Sequence, residues 1–159
     1  MAIWQFTIVL IPTAWVEKEK FDLSHLQTED GFTTGCTWIE RQPECKLGDV
    51  FDTILPPIKS WDDEVLIWGN TKTHDIQVIY ENGLLEDIVV RLDLNLELSK
   101  IIVQIVNAAR TLNCVFFIPE SDSVVLANEI GLVDAVHKSN AAKYVTNPRE
   151  YLDGISKQT

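Results

Sequence analysis

Along this 159-residue chain the apolar positions recur with a period of two in some stretches and near 3.6 in others, and the alternation sketches the secondary structure. Ile3 to Ile11 reads as a strand, with Trp4, Phe6, Ile8 and Leu10 on one face and Pro12 closing the run. From Val16 to Glu40 the charges, Gly31 and Gly35 break any sustained period, although Thr33 to Ile39 is compatible with a second strand. Leu47, Val50, Phe51, Ile54 and Leu55 then fall at i, i+3, i+4, i+7 and i+8, the spacing of one helix face, and Pro56-Pro57 forbids continuation. Gly48 costs that short helix about 1 kcal/mol of propensity, so packing has to hold it.

Glu64 to Trp68 and Asp75 to Tyr80 read as strands joined by the polar turn Gly69-Asn70-Thr71-Lys72, and a third strand follows from Leu84 to Leu94. Asn82-Gly83 ordinarily marks a two-residue hairpin turn. That register would put the row Ile76, Val78, Tyr80 on the face opposite Ile88, Val90 and Leu92. A bulged three-residue loop, Glu81-Asn82-Gly83 with Gly83 left-handed, aligns both apolar rows and is the expectation.

The clearest helix carries Ile101, Ile102, Ile105, Val106, Ala109 and Leu112 on one side, with Asn95 as its N-cap and a left-handed Asn113 as its end. Strands at Cys114 to Ile118 and Val124 to Leu126 flank the turn Glu120-Ser121-Asp122-Ser123. Asn128 caps a helix running to about His137 with Ile130, Val133 and Val136 inward; Lys143 to Thr146 favours extension. Asn147, Pro148 and Glu150 supply N-cap, N1 and N3 of a last helix holding Tyr151, Leu152 and Ile155. The order of elements, with no linker or repeat, predicts a single α+β domain over 1–159, with a mostly antiparallel sheet and helices mainly on one face.

Composition adds a sign. Thirteen basic against 24 acidic residues leave a net charge of −11, with no basic patch interleaved with aromatics, which argues against nucleic acid and favours a basic partner. Hydrophobic residues at 46% support a packed core. No stretch is long and apolar enough to span a bilayer, and the unpaired-looking Cys36, Cys45 and Cys114 suit a reducing compartment, so a cytoplasmic location without membrane contact is expected.

Reactive groups are sparse. His25, His74 and His137 form no i, i+4 ligand pair and no phosphate-binding glycine loop occurs, so no metal and no cofactor is expected. His74-Asp75 are strand neighbours pointing to opposite faces, which makes His74 a surface histidine. Asp134 and His137, with Cys114 or Ser139 as nucleophile, are the ingredients of a small enzyme, but no strained nucleophile turn accompanies them.

Two places suggest docking instead. Asp87, Arg91 and Asp93 lie on the side of their strand away from the apolar row, either a solvated face or a partner surface. Pro56 to Glu64 combines a rigid approach, the large aromatic Trp61 and the successive carboxylates Asp62, Asp63 and Glu64; Trp61 there is either core or an interface anchor.

Trp68-Gly69, Asp75-Ile76-x-Val78, Arg91-x-Asp93, Cys114, Ser139-x-Ala141 and Tyr144-Val145-x-Asn147-Pro148-x-x-Tyr151-Leu152 resemble small bacterial α+β proteins, some of them similar to immunity proteins of toxin systems. The resemblance implies a cytosolic, non-enzymatic protein that binds and blocks a cognate toxin, and the acidic charge makes a basic toxin domain the expected partner. A structural adaptor that self-associates through exposed tryptophans and a sheet edge is the alternative.

Overall fold

A computed structural model describes residues 2–158 and the side chains of 2–156. Its spine is β1 (Gln5–Pro12), where Phe6, Ile8 and Leu10 point to one face, Val9 and Ile11 to the other, and all five are buried. A strand apolar on both sides requires cover on both sides. It lies between β7 (Leu84–Asp93) and β8 (Cys114–Ile118), antiparallel to each. The full order is β4 (Pro57–Ile58), β5 (Val65–Gly69), β6 (Asp75–Glu81), β7, β1, β8, β9 (Ser123–Val125), antiparallel at every step. The α+β class and the antiparallel sheet read from the sequence are thus those of the chain.

One face carries the main core. Phe6, Ile8, Leu10, Ile76, Val78, Ile88, Val90 and Phe116 pack beneath α3 (Leu47–Phe51), α4 (Ser99–Thr111), α5 (Glu129–Lys138) and the buried Ala141 of α6 (Asn140–Thr146). Each fully buried large apolar side chain contributes about 1.5–3 kcal/mol. The second face bears a smaller core, in which Val9, Ile11, Val115 and Phe117 lie under an arm made of α1 (Thr13–Lys18) and the hairpin β2 (Gln27–Thr28), β3 (Gly31–Phe32). Trp15, Val16 and Leu26 are the arm's buried anchors. This cover explains why β1 departs from simple alternation.

Several local expectations need correction. The β6–β7 loop has two residues, not three: Glu81 pairs with Leu84 across Asn82 (φ 52) and Gly83 (φ 79), both left-handed as a type I′ turn demands. The bulge falls one pair further in. Tyr80 pairs with Leu85 but Ile79 with Asp87, so Glu86 is the extra residue, and Val78 meets Ile88 with the apolar rows on one face as the sequence required.

Thr33 to Ile39 is no strand. It holds α2 (Gly35–Trp38), because the Thr34 N–H and hydroxyl both donate to Asp87, the Thr37 hydroxyl donates to the Thr34 carbonyl, and Trp38 enters the main core. Lys143 to Thr146 is helical too: Ser139 Oγ accepts from Ala142 N–H at 3.1 Å and Ala141 is buried, which outweighs the extended preference of Tyr144 and Val145. Ile130 is exposed rather than inward. Leu132 and Val136 define the inner face of α5, and Ile130 lies about 200° around the helix from Leu132. Asn95 does not cap α4, which begins after Leu98; Asn113 is left-handed (φ 53) as expected. Asn128 caps α5 by accepting from Gly131 N–H, and Asn147 with Glu150 opens α7 (Pro148–Gln158) as the sequence anticipated.

Candidate functional site

Trp61 sits in the loop joining β4 to β5, at one end of the sheet, with 70% of its surface exposed. That exposure rules out the reading of Trp61 as a core residue. Asp62, Asp63 and Glu64 are exposed beside it. The loop is built rather than loose: Asp62 N–H donates to Ser60 Oγ at 3.2 Å, Glu64 N–H donates to Asp62 Oδ1 at 2.8 Å, and Val65 N–H reaches the Asp62 carbonyl. The Tyr80 N–H to Glu64 carbonyl bond, 2.8 Å, ties this turn to β6. Ile58 and Leu66, exposed at 40% and 42%, lie on opposite faces of the same hairpin.

The expected open face at Asp87, Arg91 and Asp93 is largely closed. Asp87 is half-buried and serves as the acceptor that fixes Thr34 at the end of the arm. Arg91 lies directly opposite Asp75, which has no exposed surface, and its Nε and Nη2 both donate to that carboxylate. Gln77 Nε2 adds a donor to Asp75 at 2.9 Å. Asp93, 5% exposed, accepts from Asn95 N–H through Oδ1. Sequence reasoning missed Asp75 as the partner of Arg91. Once the rows Ile76, Val78 and Ile88, Val90 share a face, Asp75 and Arg91 must share the other.

His74 is not an ordinary surface histidine. It is half-buried, and its Nδ1 accepts the Asp93 N–H at 2.9 Å, so the neutral ring carries its proton on Nε2. Burial pushes its pKa below the usual value while the Asp93 charge acts the other way. A depressed histidine favours the neutral form in the folded state. Its contribution is complete above the unfolded value of about 6.5 and is lost as pH falls through that value toward the lower folded one, because the unfolded chain protonates first. Urea titrations between about pH 5 and 8 should therefore show the wild type losing stability relative to His74→Asn as pH falls. Parallel curves for the two proteins would contradict this.

Three of the groups weighed for a small enzyme, Asp134, Ser139 and Cys114, are engaged with other partners. Asp134 pairs with Lys138 at 2.8 Å rather than with His137. Ser139 is fully buried, donates to the Val136 carbonyl and caps α6. Cys114 lies in the main core, where burial lifts its thiol to about 12. Among the described residues no group of three or more His, Cys, Asp or Glu could hold a metal, and no helix is long and apolar enough to cross a membrane. Cys36 and Cys45 are exposed. A disulfide-exchange reagent at neutral pH should thus titrate those two thiols in the native protein and reach Cys114 only on unfolding; rapid native labelling of Cys114 would refute its placement.

Searches with the sequence and the structure find no matching protein-family model, no matching curated protein and no matching solved structure.

Proposed function

We propose that this chain is a non-enzymatic acidic binding protein that docks a basic protein partner through the β4–β5 hairpin. The observation that carries the reading is Trp61, 70% exposed on a hydrogen-bonded turn and followed by Asp62, Asp63 and Glu64. An aromatic held out on an ordered turn loses little conformational freedom on binding and is a typical hot-spot residue, while adjacent carboxylates in a chain of net charge −11 accelerate encounter with positive surfaces. The resemblance to immunity proteins gives the reading its concrete form: occlusion of a basic toxin domain.

Trp61 touches neither core, so Trp61→Ala should change folding stability by less than about 0.5 kcal/mol in urea denaturation. The binding test is to search the gene neighbourhood of this chain for a basic toxin domain and co-produce any found with it, scored by growth and by kinetics of the purified pair. Wild type should restore growth, Trp61→Ala should weaken the complex by at least ~30-fold, and Asp63→Lys should slow association. No complex, or one indifferent to Trp61, would overturn the proposal.

A second reading, self-association, is favoured by the other end of the sheet. There β9 is an edge strand, with Leu126 (57%) and Ile130 (87%) exposed beside it. Sedimentation at micromolar concentration decides this one, since a strict monomer rules it out.

A further inference from the structure

The covering arm stops short of the middle of the sheet. Between the β2–β3 hairpin and α7 a groove of about 600 Å³ runs over the second face, floored by Gln5, Val89 and Arg91 and walled by Phe32 and Tyr151. That volume falls in the range of small-molecule sites, ~300–1,000 Å³. Both aromatic walls are braced from behind. Phe32 meets Phe117 edge-on (centroids 6.2 Å, planes at 74°), and Tyr151 meets Tyr144 likewise (6.2 Å, 78°). The hairpin itself is tied down by Gln27 Nε2 donating to Asp122 Oδ1 at 3.1 Å.

The polar groups of the groove define what it accepts. Gln5 is committed at both ends of its amide, donating to the Thr71 and Thr73 carbonyls and accepting from Ala2 N–H. Glu120 uses both carboxylate oxygens on the Asn140 N–H. Arg91 spends Nε and Nη2 on Asp75, so its guanidinium brings a donor edge to the floor with its charge already matched. An anion gains no unbalanced positive charge here and is repelled by the chain as a whole, at −11; Glu120 is exposed at the rim, where water screens its pull on a cation. Flat aromatic walls, an apolar floor at Val89 and a charge-neutralised donor in Arg91 suit an uncharged ring with an acceptor.

We propose that this groove is a binding site for an uncharged, planar aromatic molecule bearing a carbonyl-type acceptor, its ring against Phe32 and Tyr151 and its oxygen toward Arg91. The site lies over β7 and β1, apart from the Trp61 turn, and is independent of the docking proposal.

The test uses Nile red, a neutral planar dye with a carbonyl oxygen, titrated into the purified full chain, with the anionic dye 8-anilinonaphthalene-1-sulfonate as the comparison. Nile red fluorescence should rise saturably at one dye per chain with a Kd on the order of 10 μM, and the anionic dye should bind at least ~10-fold more weakly. Val89→Lys, at a half-buried groove position, should weaken Nile red by at least ~10-fold, as should Tyr151→Ala, which lies outside both cores; Trp61→Ala should leave it unchanged. Circular dichroism of each variant confirms that it is folded, and Tyr151→Ala decides the matter should Val89→Lys not fold. Unsaturable binding, equal binding of the anionic dye, or Nile red binding that survives substitution in a folded variant would overturn the proposal.

Discussion

Arg91→Leu is expected to destabilise the fold by about 3–5 kcal/mol, because it strands the Asp75 carboxylate in a site with no exposed surface. The Gln77 amide stays within reach of Asp75 but supplies no charge. Removing both partners tells whether the cost comes from a lost attraction or from an orphaned charge. A desolvated pair roughly balances its own burial, so Arg91→Leu combined with Asp75→Leu should be more stable than Arg91→Leu alone. Urea midpoints of the two single variants and the double settle the point. An Arg91→Leu protein within about 1 kcal/mol of wild type would mean that water, not the guanidinium, compensates Asp75.

Phe117→Ala should cost a similar ~3–5 kcal/mol, through lost transfer energy and the cavity left under the arm. Phe117 is fully buried between β8 and the arm, and its ring is the one that braces Phe32. Its loss therefore acts on the second face twice, thinning a small core and releasing one groove wall. Phe116→Ala, one residue away but facing the main core, should cost as much without touching Phe32. Limited proteolysis distinguishes them: cleavage within residues 13–34 should accelerate for Phe117→Ala and not for Phe116→Ala.

How far the fold could be read from the sequence depended on whether a segment's instructions are local. The rows of β6 and β7, the apolar side of α4, the Asn128 cap and the Asn147-Pro148-x-Glu150 opening of α7 are each contained within a few residues, and each reappears in the structure. Thr33 to Ile39 failed for the opposite reason. Its conformation is dictated by Asp87, 53 positions away, and by burial of Trp38. The arm of residues 13–34 has no sustained period because only Trp15, Val16, Leu26 and a few half-buried neighbours touch the sheet, too sparse a set to show as a face.

The candidate surfaces followed the same rule. The side on which Arg91 and Asp87 lie was legible from strand parity, but what engages them was not: Asp75 pairs with Arg91 across the ladder, and Thr34, 53 positions before Asp87, donates to its carboxylate. Trp61 stood out by composition, yet only three-dimensional placement separates an exposed aromatic from a core residue. Phe32 and Tyr151, some 120 positions apart in sequence, carry no mutual signal before folding brings them to one groove.

The two ends of the sheet differ in a way that bears on polymer growth. At one end β4 is two residues long and begins with Pro57, which has no backbone N–H to offer a neighbouring strand. At the other, β9 has no such block. Head-to-tail accretion would need β9 of one molecule to seat on β4 of the next, and Pro57 withholds the ladder it would extend. Within this sheet, strand pairing between copies is thereby biased toward β9 meeting β9 about a two-fold axis, an arrangement that closes after two molecules rather than growing.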